Sequence, residues 1–239
     1  GGAVETGWMK HAGAVLYLGL AGEGAGEAVR RLLYGLQAPC GRLAETWPVR
    51  LSDTPAWHHF PMGPRSVSYN ESIYIGYRYY DKAGASVAFP FGYGLSYTTF
   101  AYSGLHLSAE KLARHEALEV SFRVRNTGAR AGRETAQIYL SHMASCAHQP
   151  VRTLAAFAQV ELAPGEEKTV RVMVPRTSFE CWDAARGRFA VEAGPYEVCV
   201  GPNSRALPLR AELMVQGDTL LLPYEHSASG PYGHFRGNA

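Results

Sequence analysis

Ten aromatic residues crowd one stretch of the chain: Tyr69, Tyr74, Tyr77, Tyr79, Tyr80, Phe89, Phe91, Tyr93, Tyr97 and Phe100. Aromatic rings can pack on the C–H faces of a pyranose while polar tips hydrogen-bond its hydroxyls. They can equally form a seam between domains, where Tyr buries area and keeps its hydroxyl satisfied. The seam is the favoured reading. His58 and His59 precede the cluster. Neighbouring side chains of an extended segment point to opposite faces, so the pair does not chelate one ion. His58, His59, Tyr69, Tyr74 and Tyr77 are therefore the candidates for contact with a sugar or with another domain.

Other constellations carry less. His142, Cys146 and His148 offer metal-ligating types, but no fourth ligand has suitable spacing, and a solvated loop is expected. Gly22-Glu23-Gly24-Ala25-Gly26 lies where a dinucleotide fingerprint would lie. The position that should carry Gly or Ala is Glu27, whose carboxylate would repel a pyrophosphate. Ser108 and Lys111 match a serine-nucleophile spacing without its companion motifs, so a polar connection between domains is expected. Asn70-Glu71-Ser72 is an acceptor sequon that matters only in a secreted eukaryotic protein. No cofactor, metal or catalytic residue is assigned.

The elements that position these residues fall into two styles. Ala14-Val15-Leu16-Tyr17-Leu18 is a continuous apolar run, as in a strand buried on both faces. A glycine turn follows, then a helix over Glu27 to Leu36 with Ala28, Leu32 and Leu36 on one stripe. Residues 42–100 are rich in aromatics, Gly and Pro and read as long ordered loops with short strands, notably near Ile73–Tyr80. Beyond Leu105 the pattern alternates with period two over Leu118–Val124 and Lys168–Val174, and Thr135–Leu140, Phe157–Leu162, Phe189–Val191, Tyr196–Val200 and Leu209–Val215 read as further strands. Short strands with regular turns over this length predict an immunoglobulin-like sandwich of the disulfide-free, fibronectin type. The expected fold is an α/β fragment, the end of an αβα sandwich, over 1–104, then an all-β sandwich over 105–216 and a tail over 217–239.

Composition narrows the function classes. The chain has 239 residues and a formal charge of +2, with both signs interspersed. No basic stripe suggests a nucleic-acid partner, and no apolar run is long enough for a membrane span. Gly1-Gly2-Ala3-Val4-Glu5 lacks an initiator Met and a leader pattern and reads as the interior of a longer protein. Four scattered cysteines, Cys40, Cys146, Cys181 and Cys199, read as reduced thiols and lean towards the cytoplasm.

Several stretches together resemble glycoside hydrolase family 3. Phe89-Pro90-Phe91-Gly92-Tyr93-Gly94-Leu95-Ser96-Tyr97-Thr98-Thr99-Phe100 is similar to the family's FPFGYGLSYTTF word at every position. Ile75–Asp81 resembles its VGYRYYD stretch, Gly41–Pro48 its SGRLAETFP stretch, and Gly1–Trp8 its G-S-P-V-E strand. The resemblance implies a barrel domain, then an α/β sandwich, then a fibronectin-like domain. It also implies retaining hydrolysis of terminal β-linked sugars by a nucleophilic Asp and an acid/base Glu. Both would precede residue 1, so none of Glu5, Glu23 and Glu45 inherits a catalytic role. The implied partners are a β-linked glycoside or oligosaccharide and the missing barrel. A stand-alone carbohydrate-binding or adhesion module is the competing reading, and the sequence upstream of Gly1 separates the two.

Overall fold

The computed structural model describes residues 4–60, 66–67 and 69–218. The first part holds few regular elements: α1 (Ala25–Leu33), β1 (Trp47–Pro48), α2 (Tyr77–Lys82) and β2 (Val87–Phe89), with β1 antiparallel to β2. Then β3 (Phe100–Leu107), β4 (Lys111–Leu112), β5 (Leu118–Asn126), β6 (Gly132–His142), β7 (Thr153–Leu162) and β8 (Glu167–Val174) follow. The last strands are β9 (Glu180–Asp183), β10 (Arg188–Val191), β11 (Gly194–Gly201) and β12 (Leu209–Val215).

Two sheets make the sandwich. One runs β4-β12-β11-β6-β7 and the other β3-β5-β8, with β9 and β10 as a separate hairpin. The alternation in β5 is the reason the sheets close. Leu118, Val120, Phe122 and Val124 all face inward and are fully buried. They meet Ile138 of β6, Val198 of β11 and Leu213 of β12 in one core. The seven stretches read as strands are all strands here, most of them longer than the pattern alone suggests. β3 starts at Phe100 and so crosses the expected boundary after residue 104. Ser108 and Lys111 lie within the sandwich, since β4 pairs with β12 and Ser108 Oγ accepts the amide of Glu119. That corrects the reading of this stretch as a connection between domains.

β6 departs from alternation. Residues 134–140 are buried on both faces. The inward Ala136, Ile138 and Leu140 join the sandwich core. The outward Tyr139 joins a second cluster with Cys199 and Leu207, against which Tyr77 and Phe91 of the first part pack. A sheet covered on both sides reads as a near-continuous apolar run. The first part of the chain supplies the cover.

Three expectations for that first part are corrected. The stretch near Ile73–Tyr80 is not a strand: Gly76 turns at φ 54°, and α2 begins at Tyr77. Tyr77 packs towards the sandwich and Tyr80, three positions on, is buried, and a spacing of three places both on one side in a helix but on opposite sides in a strand. The helix expected over Glu27–Leu36 is α1 at Ala25–Leu33, and its half-buried residues are Ala25, Val29 and Leu32 rather than Ala28 and Leu36. Ala14–Leu18 is unpaired, and its Val15, Leu16, Tyr17 and Leu18 are exposed. No strand among the described residues lies beside it to complete a ladder. Among residues 4–45 none is buried.

Unpaired backbone and exposed apolar side chains of this kind drive association. The chain is expected to self-associate with rising concentration, and removing residues 1–99 should relieve this. Sedimentation velocity checks it, and a monomer throughout for the whole chain would contradict it. Among the described residues no helix is long and apolar enough to cross a membrane. The proposed tail lies outside the described residues from Thr219 onward. Asp218 still bridges Glu192 through the backbone.

Candidate functional site

The seam between the two parts is built by buried charges that sequence patterns do not reveal. Arg42 reaches across to Glu134 on β6. Its Nη2 donates to both carboxylate oxygens, at 2.7 and 2.8 Å, and Tyr102 donates to Oε1 at 3.0 Å. The Glu134 side chain is 3% exposed. Arg42 also donates to the carbonyl of Gly94, within the twelve-residue aromatic word. Burial pushes the Tyr102 phenol up, and the adjacent Glu134 carboxylate adds to the shift. Gly92 stands at φ 80°, and a Cβ there would overlap the Gln137 side chain, whose Nε2 donates to the Gly92 carbonyl. Glycine is required at this position for conformation and for space.

A second clamp holds α2. Asp81 sits between Arg205, at 3.2 Å, and Arg152, at 3.5 Å. Burial pushes the Asp81 carboxyl up, and the two guanidiniums pull it back only in part. Arg205 also donates to the carbonyl of Ala85 at 2.8 Å. The Tyr77 hydroxyl accepts the amide of Leu154 at 2.9 Å, while its ring packs on Phe91 and Tyr139.

The five candidate contact residues do not form one site. Tyr74 is buried; its hydroxyl donates to the Gln149 carbonyl, and its ring stands edge-on to His148. Tyr74 and Tyr77 thus hold the aromatic segment to the sandwich. Tyr69 is 90% exposed, and His58 is exposed. His59 is half-buried, and its Nδ1 accepts from Asn70 Nδ2 at 3.1 Å.

The loop of His142, Cys146 and His148 is not simply solvated, which corrects that expectation. The His142 side chain is buried beside Glu192. Glu192 accepts from Ser145 Oγ at 2.5 Å, from the Cys146 amide and Gln149 Nε2 at 2.7 Å, and from the Cys146 thiol at 2.9 Å. Burial pushes the Glu192 carboxyl up, but these donors outweigh it and hold it low. The hydrogen bond to Glu192 in turn pushes the Cys146 thiol up, away from nucleophilic use. Among the described residues no three His, Cys, Asp or Glu side chains are grouped to hold a metal. Buried carboxylates such as Glu134 and Glu192 escaped the sequence reading because their partners lie 92 and about 46 positions away.

Comparison with known proteins decides what this scaffold is. Residues 1–97 match the glycosyl hydrolase family 3 C-terminal domain, and residues 134–204 match the fibronectin type III-like domain. The chain belongs to glycoside hydrolase family 3. Within that family it is 37% identical over 215 residues to the thermostable β-glucosidase B of Acetivibrio thermocellus, covering 90% of this chain and 28% of the relative. It is 39% identical to a β-glucosidase of Kluyveromyces marxianus, covering 91% of this chain and 26% of that protein. The crystal structure of the K. marxianus enzyme in complex with glucose superposes with a TM-score of 0.84 at 38% identity, over 90% of this chain and 25% of that one. β-Glucosidase 3B of Thermotoga neapolitana gives 0.82 at 38% identity, over 90% and 30%. The family 3 chain described here thus spans between a quarter and a third of these relatives. A part matching the family's α/β C-terminal domain and a fibronectin-like sandwich are both present, joined by the Arg42–Glu134 and Asp81 clamps.

Proposed function

We propose that this chain is the C-terminal part of a retaining β-glucosidase that removes terminal β-linked glucosyl residues. The nucleophilic Asp and the acid/base Glu, and the barrel that seats the sugar, belong to sequence outside these residues. The observation that supports this most is the bare apolar surface of residues 4–60, where Trp8, Leu20, Leu33, Tyr34, Leu36 and Phe60 are at least half exposed. Such a face is costly in water and marks a surface built to be covered. The relatives are roughly four times longer than the part matched. This chain's role is then to brace the catalytic parts and close their apolar flank.

Glycoside hydrolysis needs one carboxylate to attack and a second to protonate the leaving oxygen. The chain alone should release no nitrophenol from an aryl β-glucoside above buffer. A protein extended upstream through the barrel should turn it over with retention of configuration and a bell-shaped pH profile. Robust hydrolysis by residues 1–239, abolished by replacing one Asp or Glu within them, would overturn the proposal.

A further inference from the structure

A cavity of about 1010 Å³ opens beside the β9–β10 hairpin, where α2 and the segment before it approach the sandwich. Drug-sized ligand sites span roughly 300–1,000 Å³. Trp182 and Phe189 lie on its wall. They are cross-strand partners, edge-to-face at 5.2 Å, and 55% and 63% exposed. Two large rings on a hairpin gain little from solvent and form a platform for an apolar face.

The polar part of the wall specifies what that face belongs to. Arg78 and Glu180 both line the cavity, and neither the guanidinium nor the carboxylate makes a hydrogen bond or ion pair among the described residues. Other ionisable side chains of the wall already have partners: the His148 ring stands edge-on to Tyr74, and the Tyr196 hydroxyl donates to the Glu192 carbonyl. Asp183 is held by the amides of Ala185 and Arg186 and by the Arg186 guanidinium. His142 accepts the Ala144 amide at Nδ1 and faces the Ala193 carbonyl through Nε2. The free wall therefore offers one cation and one anion, with no net field for a charged ligand. An apolar occupant would desolvate both without replacing their hydrogen bonds. An acidic occupant would meet Glu180, and a basic one Arg78. A neutral polyol with an apolar face satisfies all three features: its hydroxyls accept from Arg78 and donate to Glu180 while its C–H face lies on Trp182.

We propose that this cavity, with Trp182 as platform and Arg78 and Glu180 as its polar arms, is a binding site for a neutral oligosaccharide. Binding is read on the chain of 239 residues without turnover, so its failure is distinct from failure of the β-glucosidase reading. The test is calorimetric titration with cellotriose, laminaritriose and maltotriose, with trigalacturonate as the acidic comparison. At least one neutral trisaccharide should bind with a millimolar or tighter dissociation constant. Trp182→Ala and Arg78→Gln should each weaken it about tenfold or more, a loss of about 1.4 kcal/mol. Phe157→Ala, at an exposed ring of β7 outside the cavity, should leave it unchanged. Trp182→Phe, which keeps a smaller platform, should fall between wild type and Trp182→Ala. Unchanged melting of each variant excludes misfolding as the cause. Absence of binding by all three neutral sugars overturns the proposal. So does binding that survives either Trp182→Ala or Arg78→Gln unchanged, or tighter binding of trigalacturonate than of every neutral sugar.

Discussion

Arg42→Met should destabilise the chain by about 3–5 kcal/mol, the cost of breaking a buried ion pair from one side. Glu134 is left behind with its side chain 3% exposed, and among the described residues its one other side-chain donor is Tyr102. A carboxylate in that position either stays charged without its counterion or takes up a proton, and both cost folding free energy. At this chain length the loss corresponds to a fall in melting temperature of roughly 6–20 °C. The double variant Arg42→Met with Glu134→Leu should recover most of the loss, because a packed apolar pair needs no desolvated charge. Denaturant titration of the wild type, both single variants and the double variant gives the coupling directly. Additive losses would show that Arg42 acts through its contact with the Gly94 carbonyl instead.

The sandwich was legible in the sequence because one physical signal, period-two alternation, is written along a single strand. Leu118 to Val124 shows this: every second residue is apolar, and those four are the ones the core takes. β6 is the exception. Gln137 and Tyr139 face outward on a half-polar pattern, yet both are buried, because Gly92 and Pro202 meet Gln137 and Phe91 and Tyr77 cover Tyr139 from elsewhere in the chain. The same separation hid the seam. Nothing local to Arg42 announces Glu134, and nothing local to Asp81 announces Arg152 and Arg205. The aromatic stretch was visible as a cluster, and its Tyr74 and Tyr77 contact residues of the sandwich, but the helix at Tyr77 was not visible. Aromatics favour strands in isolation, and only the burial supplied by distant parts of the chain makes the spacing of Tyr77 and Tyr80 the deciding feature. The cavity beside β9 and β10 was invisible for a related reason. Arg78 reaches it from α2, while Glu180 and Trp182 reach it from a hairpin a hundred residues later.

Asn126 offers the sharpest test of how such distant contacts are tied together. Sequence patterning marks Asn126-Thr127-Gly128 only as a turn after β5. In the fold Asn126 is fully buried, and its amide uses its whole hydrogen-bonding capacity. Oδ1 accepts from Thr98 Oγ1 at 2.5 Å and from the Gly128 amide at 3.1 Å. Nδ2 donates to the carbonyls of Arg130 at 2.7 Å and Leu162 at 3.0 Å. One side chain thus joins the aromatic word, the β5–β6 turn and the end of β7. Asn126→Ala leaves those groups without partners, and each buried unsatisfied group costs about 1–3 kcal/mol. A total loss of about 3–5 kcal/mol is expected, since Thr98 can turn its hydroxyl elsewhere and water can reach part of the vacated space. Asn126→Asp keeps the shape but turns a carboxylate oxygen towards two carbonyls. Those carbonyls and the burial oppose the charge, so the introduced carboxyl binds its proton more tightly in the folded chain than in the unfolded one. Its penalty is therefore full above the folded pKa and shrinks as pH falls through it, where the protonated acid can donate to one carbonyl. Urea unfolding of both variants, each compared with wild type at neutral and mildly acidic pH, checks this. The deficit of Asn126→Ala should stay constant while that of Asn126→Asp narrows, and an Asp deficit that is flat or grows on acidification would mean the amide does not bridge those carbonyls.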